Sequence, residues 1–184
     1  MTGPLDPVAL AADLIACPSV TPADAGAQEV LAAALEAQGF VVHRLVSGDA
    51  PHGPIANLVA MRGSGAPHFA FAGHTDVVPP GEGWASGAFV PVIRDGLLFG
   101  RGAVDMKGAI AAFAAAADRV RDHAGTLSLL ITGDEEGPAV HGTRAIIDWM
   151  AANEVRPDLI LVGEPTSDVQ LGDTIKGCYE PPPT

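Results

Sequence analysis

"LLITGDEEGPAV", residues 129–140, runs four apolar or β-branched residues into Gly133 and then sets Asp134, Glu135 and Glu136 side by side. The apolar part reads as a buried strand of an α/β sheet. Adjacent carboxylates repel, and any loss of solvent raises the pKa of each one further, so acids at the end of a buried segment are costly unless a positive charge sits among them. A cation is the first expectation.

Two other stretches are built the same way. The run "HFAFA" (68–72) is followed by Gly73, His74, Thr75 and Asp76, and the run "LILV" (159–162) by Gly163 and Glu164. Three strands thus deliver ligand-type side chains just past their C-terminal ends, the edge where open α/β sheets bind ligands. A further acid, Asp105 in "GRGAVDMKGAI", stands at the start of an Ala-rich helix. One imidazole and several carboxylates on one edge suit zinc or a related divalent ion, which supplies the missing positive charge. Taken singly, each feature has a plainer reading. His-x-Asp at a strand end is ordinarily a surface turn, Asp105 a helix N-cap, and Glu135-Glu136-Gly137 or Glu164-Pro165 a solvated turn. The joint placement after three apolar runs is what favours a site.

The rest of the chain alternates helical and extended patterns. Apolar spacing predicts helices over 8–16, 28–38, 107–122 and 143–153, with Gly39 closing the second. Extended segments are predicted over 40–45, 56–61, 68–72, 127–132 and 159–162, with a hairpin around Asp95-Gly96. The expected fold class is α/β, with a mixed, largely parallel sheet flanked by helices. "VVPPGEGWASG" (77–87) reads as a long Pro- and Gly-rich surface loop.

Composition agrees. The chain has 184 residues, of which 48% are hydrophobic and 17% charged, enough for one domain with a sizeable core. A net charge of −12 argues against nucleic acid or an anionic membrane surface as partner and favours cations. The N-terminus lacks a basic region and the chain's longest apolar stretch, 109–117, is too short to span a bilayer, so a cytoplasmic location is expected. Cys17 and Cys178 are far apart and support neither a disulfide framework nor a thiolate zinc site. Gly100-Arg101-Gly102 is too short for a phosphate-binding loop. His43, His52, His68, His123 and His141 lack supporting neighbours and read as surface or half-buried residues.

"GHTDVVPPGEGW", "GRGAVDMKG", "TGDEEG" and "VGEPTS" together resemble the successive motifs of the di-zinc amidohydrolases and peptidases that include aminoacylases, acetylornithine deacetylases and glutamate-releasing carboxypeptidases. The resemblance runs to Lys176. It implies that His74 and Glu164 bind one zinc, that Glu136 binds a second, and that Asp105 bridges the two. Glu135 is then the general base, and Asp76 a catalytic-site residue that orients His74. Asp134 is expected to point away from the site. Two zinc ions per full-length subunit are implied, with cobalt able to substitute, and the peptide bond after Asp105 is expected to be cis. The flanks "TGDEEGPAVHGT" and "VGEPTSDVQLGDTIK" are most similar to the branch that releases succinate from a succinylated amino acid in lysine and cell-wall biosynthesis. The implied substrate is a small N-acyl amino acid, with an acetyl-group deacylase of the same family as the alternative.

The tail, "GCYEPPPT" (177–184), departs from the family pattern. Residues 1–176 are expected to form the N-terminal part of the catalytic domain, without the lid and dimerisation domain or the returning C-terminal segment. The absent half would carry the last zinc-binding His, a His reaching the oxyanion from the partner subunit of a homodimer, and arginines for substrate carboxylates. Two readings follow: an incomplete desuccinylase-type enzyme, and a metal-binding fragment without turnover.

Overall fold

The computed structural model describes residues 4–166. Helices α1 (Pro7–Ala16) and α2 (Ala27–Glu36) precede strands β1 (Val41–Ser47), β2 (Ile55–Ser64) and β3 (His68–His74). A small hairpin, β4 (Val92–Arg94) and β5 (Leu97–Phe99), leads through a wide turn to α3 (Gly108–Arg119). Strand β6 (Gly125–Thr132), helix α4 (Thr143–Ala152) and strand β7 (Leu159–Val162) follow. Helix α1 starts where Pro7 follows Asp6, whose carboxylate accepts from Val8 N at 2.8 Å, a favoured N-terminal arrangement. Helix α3 ends three residues before the expected limit because Arg62 of β2 donates to the carbonyls of Ala117 and Val120.

The main sheet has the order β1-β2-β6-β3-β7. Strands β6, β3 and β7 are mutually parallel, while β2 runs antiparallel to both β1 and β6, so β2 alone opposes the other four. The expected mixed, largely parallel sheet is therefore present. Side chains alternate between two apolar layers with the two-residue period of a strand. Leu58, Ala60, Phe71, Leu127, Leu129 and Ile131 pack with α1, α2 and α3, while Val59, Ala70 and Leu130 pack with Ile146 of α4 on the other face. Phe71 stacks on Phe113 with ring centroids 4.4 Å apart. Full burial of each such side chain contributes about 1.5–3 kcal/mol, which accounts for the nearly continuous apolar runs.

Register fixes the site. His74 pairs with Thr132, and Ala72 pairs with Val162. The segments after β3, β6 and β7 therefore leave the sheet at one level, bringing Thr75-Asp76, Gly133-Glu136 and Gly163-Glu164 together.

Strand β7 differs from its neighbours. Its residues Leu159, Ile160, Leu161 and Val162 are all exposed although all are apolar. The Pro- and Gly-rich loop is irregular as expected, and Arg101 pins it by donating to the Pro80 carbonyl at 3.0 Å and lying over Trp84. His68 is buried, contrary to expectation, with Nε2 2.9 Å from Ser128 Oγ on the adjacent strand. Cys17 is half-buried, Cys178 and the tail at 177–184 lie outside the described residues, and no described helix is long and apolar enough to cross a membrane.

Candidate metal centre

His74 ends β3 with its side chain 1% exposed. Its Nδ1 lies 2.9 Å from the carbonyl oxygen of Asp76, which can only accept, so Nδ1 carries the proton in the neutral ring. Nε2 is then a lone pair, and it faces acids: Asp105 Oδ1 at 3.1 Å, Glu164 Oε1 at 3.2 Å and Glu135 Oε2 at 3.7 Å. A lone pair surrounded by carboxylate oxygens is repulsive without a proton or a metal ion between them. His74, Asp105 and Glu164 offer ligand atoms within 4.8 Å of one another, and His74, Glu135 and Glu136 do the same. The donor chemistry, an imidazole held by its other nitrogen and converging carboxylates, fits zinc and its relatives.

The titrations reflect this crowding. Burial pulls the His74 pKa down, yet the carboxylates of Asp76, Glu135 and Glu164 and the Asp76 carbonyl outweigh it, leaving the group above its ordinary value. Burial pushes Glu136 up, and the negative charge of Asp105 adds to that, only partly offset by His74.

Asp105 reaches the site from the turn Ala103–Lys107, which Gly102 enters at φ 82°. Its own angles, φ −121° and ψ 97°, are extended, and no side-chain bond caps α3, so the plain N-cap reading of Asp105 does not hold. The Asp105–Met106 bond is cis, as the motif implies. The acids border two openings. One, about 360 Å³, runs along α4 and β7 past His74, Glu135 and Glu164; the other, about 400 Å³, is lined by Arg101, Asp105 and Glu136. Asp105 therefore stands between the His74–Glu164 side and the Glu136 side.

The support beneath these residues went largely unseen in the sequence. Lys107, fully buried, donates to the carbonyls of Leu14 and Cys17 at 2.8 and 2.9 Å, tying the Asp105 turn to the end of α1; burial lowers its pKa to about 8. Met106 is also fully buried and receives the His74 backbone N–H on its sulfur at 3.3 Å. The ring of His74 is oriented by the backbone carbonyl of Asp76, whose carboxylate lies farther off at 3.6 Å. That carboxylate instead accepts from the backbone N–H groups of Glu135 and Glu136, at 3.1 and 2.9 Å. Asp134 stands apart from both metal-capable groups, as expected, but is buried. Its carboxylate closes the loop by accepting from Ala139, Val140 and His141 N–H groups. His141 belongs to neither group; its ring lies against Gly48. The three adjacent acids thus have separate tasks, one holding the loop and two facing the site.

A mixed α/β sheet with helices on both faces, and with an imidazole and acids converging at its C-terminal edge, defines a metal-capable class of architecture. A family model for Peptidase family M20/M25/M40 matches residues 70–180, and the chain belongs to that family. It is 68% identical over 172 residues to a succinyl-diaminopimelate desuccinylase of Rhizorhabdus wittichii, covering 94% of this chain and 46% of that protein. It is 62% identical over 176 residues to the protein of the same name from Zymomonas mobilis, covering 96% and 47%. The chain thus spans about half the length of the curated relatives it matches. Among solved structures, human carnosine dipeptidase 1 shares the fold with a TM-score of 0.71 at 24% identity, over 88% of this chain and 38% of that one. An M20 family metallo-carboxypeptidase from Sulfolobus solfataricus likewise reaches 0.71, at 18% identity and with 88% and 38% coverage.

Proposed function

We propose that this chain carries the metal-binding part of a hydrolase that converts N-succinyl-LL-2,6-diaminopimelate and water to succinate and LL-2,6-diaminopimelate. The observation that carries the reading is the convergence of His74 Nε2 with the carboxylates of Asp105, Glu164 and Glu135. The substrate class rests on the name shared by relatives 68% and 62% identical.

In this reading His74, Asp105 and Glu164 would hold one zinc ion, and Asp105 would be shared with a second held by Glu136, with cobalt able to replace zinc. Such ions, when bound, polarise an amide carbonyl and make water a better nucleophile near neutral pH. Glu135 is not assigned as a ligand. Its carboxylate is the most exposed of the group, 3.7 Å from His74 Nε2, and takes the proton from the attacking water, then returns it to the departing amine. Asp76 keeps Glu135 in place through its backbone. The exposed apolar strand β7 and the half-length match support the view that residues 1–176 are the N-terminal part of a larger catalytic domain. In this reading the full-length protein is a cytoplasmic homodimer.

The test is succinate release from succinylated diaminopimelate by this chain and by a chain extended to the length of its relatives, each with zinc or cobalt. Turnover by the extended chain supports the assignment. Preference for an acetylated amino acid would overturn the substrate, and turnover by neither would leave a metal-binding protein without this activity.

A further inference from the structure

We infer that Thr21, in the loop between α1 and α2, is a positioning residue whose hydroxyl fixes the backbone of Glu135 and Glu136 by way of Asp76. The inference deepens the metal-site reading but concerns a hydrogen-bond relay that is present without metal. Thr21 Oγ1 donates to Asp76 Oδ2 at 2.6 Å. The same oxygen accepts the N–H groups of Glu135 at 3.1 Å and Glu136 at 2.9 Å. Removing the hydroxyl takes away the shortest of these bonds and frees the Asp76 carboxylate to turn about its last torsion, where terminal carboxyl wells are broad.

The loop that supplies Thr21 is itself moored to the end of β3. Ser19 Oγ donates to the Thr75 carbonyl at 2.7 Å, Val77 N donates to the Ser19 carbonyl at 2.9 Å, and Gln28 Nε2 donates to Thr75 Oγ1 at 2.9 Å. Thr21 also abuts the far end of the acid loop, for a Cβ added to Gly137 would stand 2.6 Å from Thr21 Cγ2. A segment with no ligand of its own therefore grips both the His74-Asp76 turn and the Glu135-Gly137 turn. Its hydroxyl is the one side-chain donor among these contacts that meets the Asp76 carboxylate from outside the acid loop.

The relay predicts a local effect that a general loss of packing does not produce. In the metal-free chain, Thr21→Val should speed amide hydrogen exchange at Glu135 and Glu136 by about tenfold, the scale of one hydrogen bond to a charged acceptor. Exchange at Leu129 and Ile131 of β6 should stay unchanged, and Thr21→Ser should behave as the parent. Unchanged exchange at Glu135 and Glu136 in Thr21→Val overturns the inference. So does equal loss in Thr21→Ser, which would assign the effect to the methyl group, or loss spread through β6, which would make Thr21 a residue of the fold alone. With cobalt titrated by its absorption spectrum, Thr21→Val should bind about 10–100-fold more weakly than the parent and Thr21→Ser should not. A parent chain that binds no cobalt sinks the metal reading, while the exchange result still decides the role of Thr21.

Discussion

His74 Nε2 faces Asp105 Oδ1 at 3.1 Å while the opposite nitrogen of the ring donates to a carbonyl. Two acceptors so close require a shared proton or a shared metal ion between them.

Glu135 and Glu136 are sequence neighbours to which the proposed reaction gives different tasks. In a chain of the relatives' full length, Glu135→Ala should lower kcat by about 100- to 10,000-fold, the usual contribution of a general base, while zinc content is unchanged. Glu136→Ala should lose zinc together with activity. Metal analysis and steady-state kinetics on the same samples check both, and full activity in the Glu135 variant would remove its assignment as base.

Gly163, next to Glu164, packs directly on the aromatic layer. A Cβ there would stand 2.6 Å from Phe71 Cε2 and 2.8 Å from Met106 Cε. A stacked ring cannot yield as a flexible chain can, so Gly163→Ala should destabilise the chain by about 1–3 kcal/mol, the usual cost of overpacking. It should also weaken metal binding by displacing Glu164. Urea unfolding and cobalt titration measure the two effects, and a variant as stable as the parent would mean that Phe71 moves freely.

How far the sequence disclosed this arrangement depends on the range of each signal. The apolar runs ending at Thr132, Ala72 and Val162 carried the strands, and the Gly-acid or Gly-His steps after them marked the site edge, because both are written within a few residues. What levels those edges is register, His74 against Thr132 and Ala72 against Val162, which depends on strands far apart in the chain. The same is true of the support. Lys107 meets Leu14 across 93 residues and Thr21 meets Asp76 across 55, so no local pattern announced either. Strand period set Asp134 apart from Glu135, but only the chain's return at 139–141 gives its carboxylate a task.

Asp118 links the N-terminal segment to α3. Its Oδ2 accepts the Leu5 N–H at 2.9 Å, and its side chain is 4% exposed beside Arg121. The Leu5 bond, then Arg121 and Arg62, hold its pKa below 3.8 despite burial. A depressed carboxylate stabilises the fold above its unfolded pKa, and that stability is lost as pH falls through the folded value. Asp118→Asn should therefore cost about 1–3 kcal/mol near neutral pH, the range for a hydrogen bond to a charged group. The gap between variant and parent should close as pH drops below about 3.8. Chemical unfolding at a series of pH values measures it, and a gap that is constant with pH would show that the charge contributes nothing.

We propose that His74, Asp105 and Glu164 form a divalent-metal site. Three protein ligands with an open position make a workable zinc site, whereas Asp105 and Glu136 by themselves hold an ion weakly. The direct measurement is zinc content after exhaustive dialysis, on the parent chain and on His74→Ala. About one tightly held zinc per parent chain is expected by that ligand count, and none in the variant. A parent chain that keeps no zinc, or a His74→Ala chain that keeps as much as the parent, would contradict it.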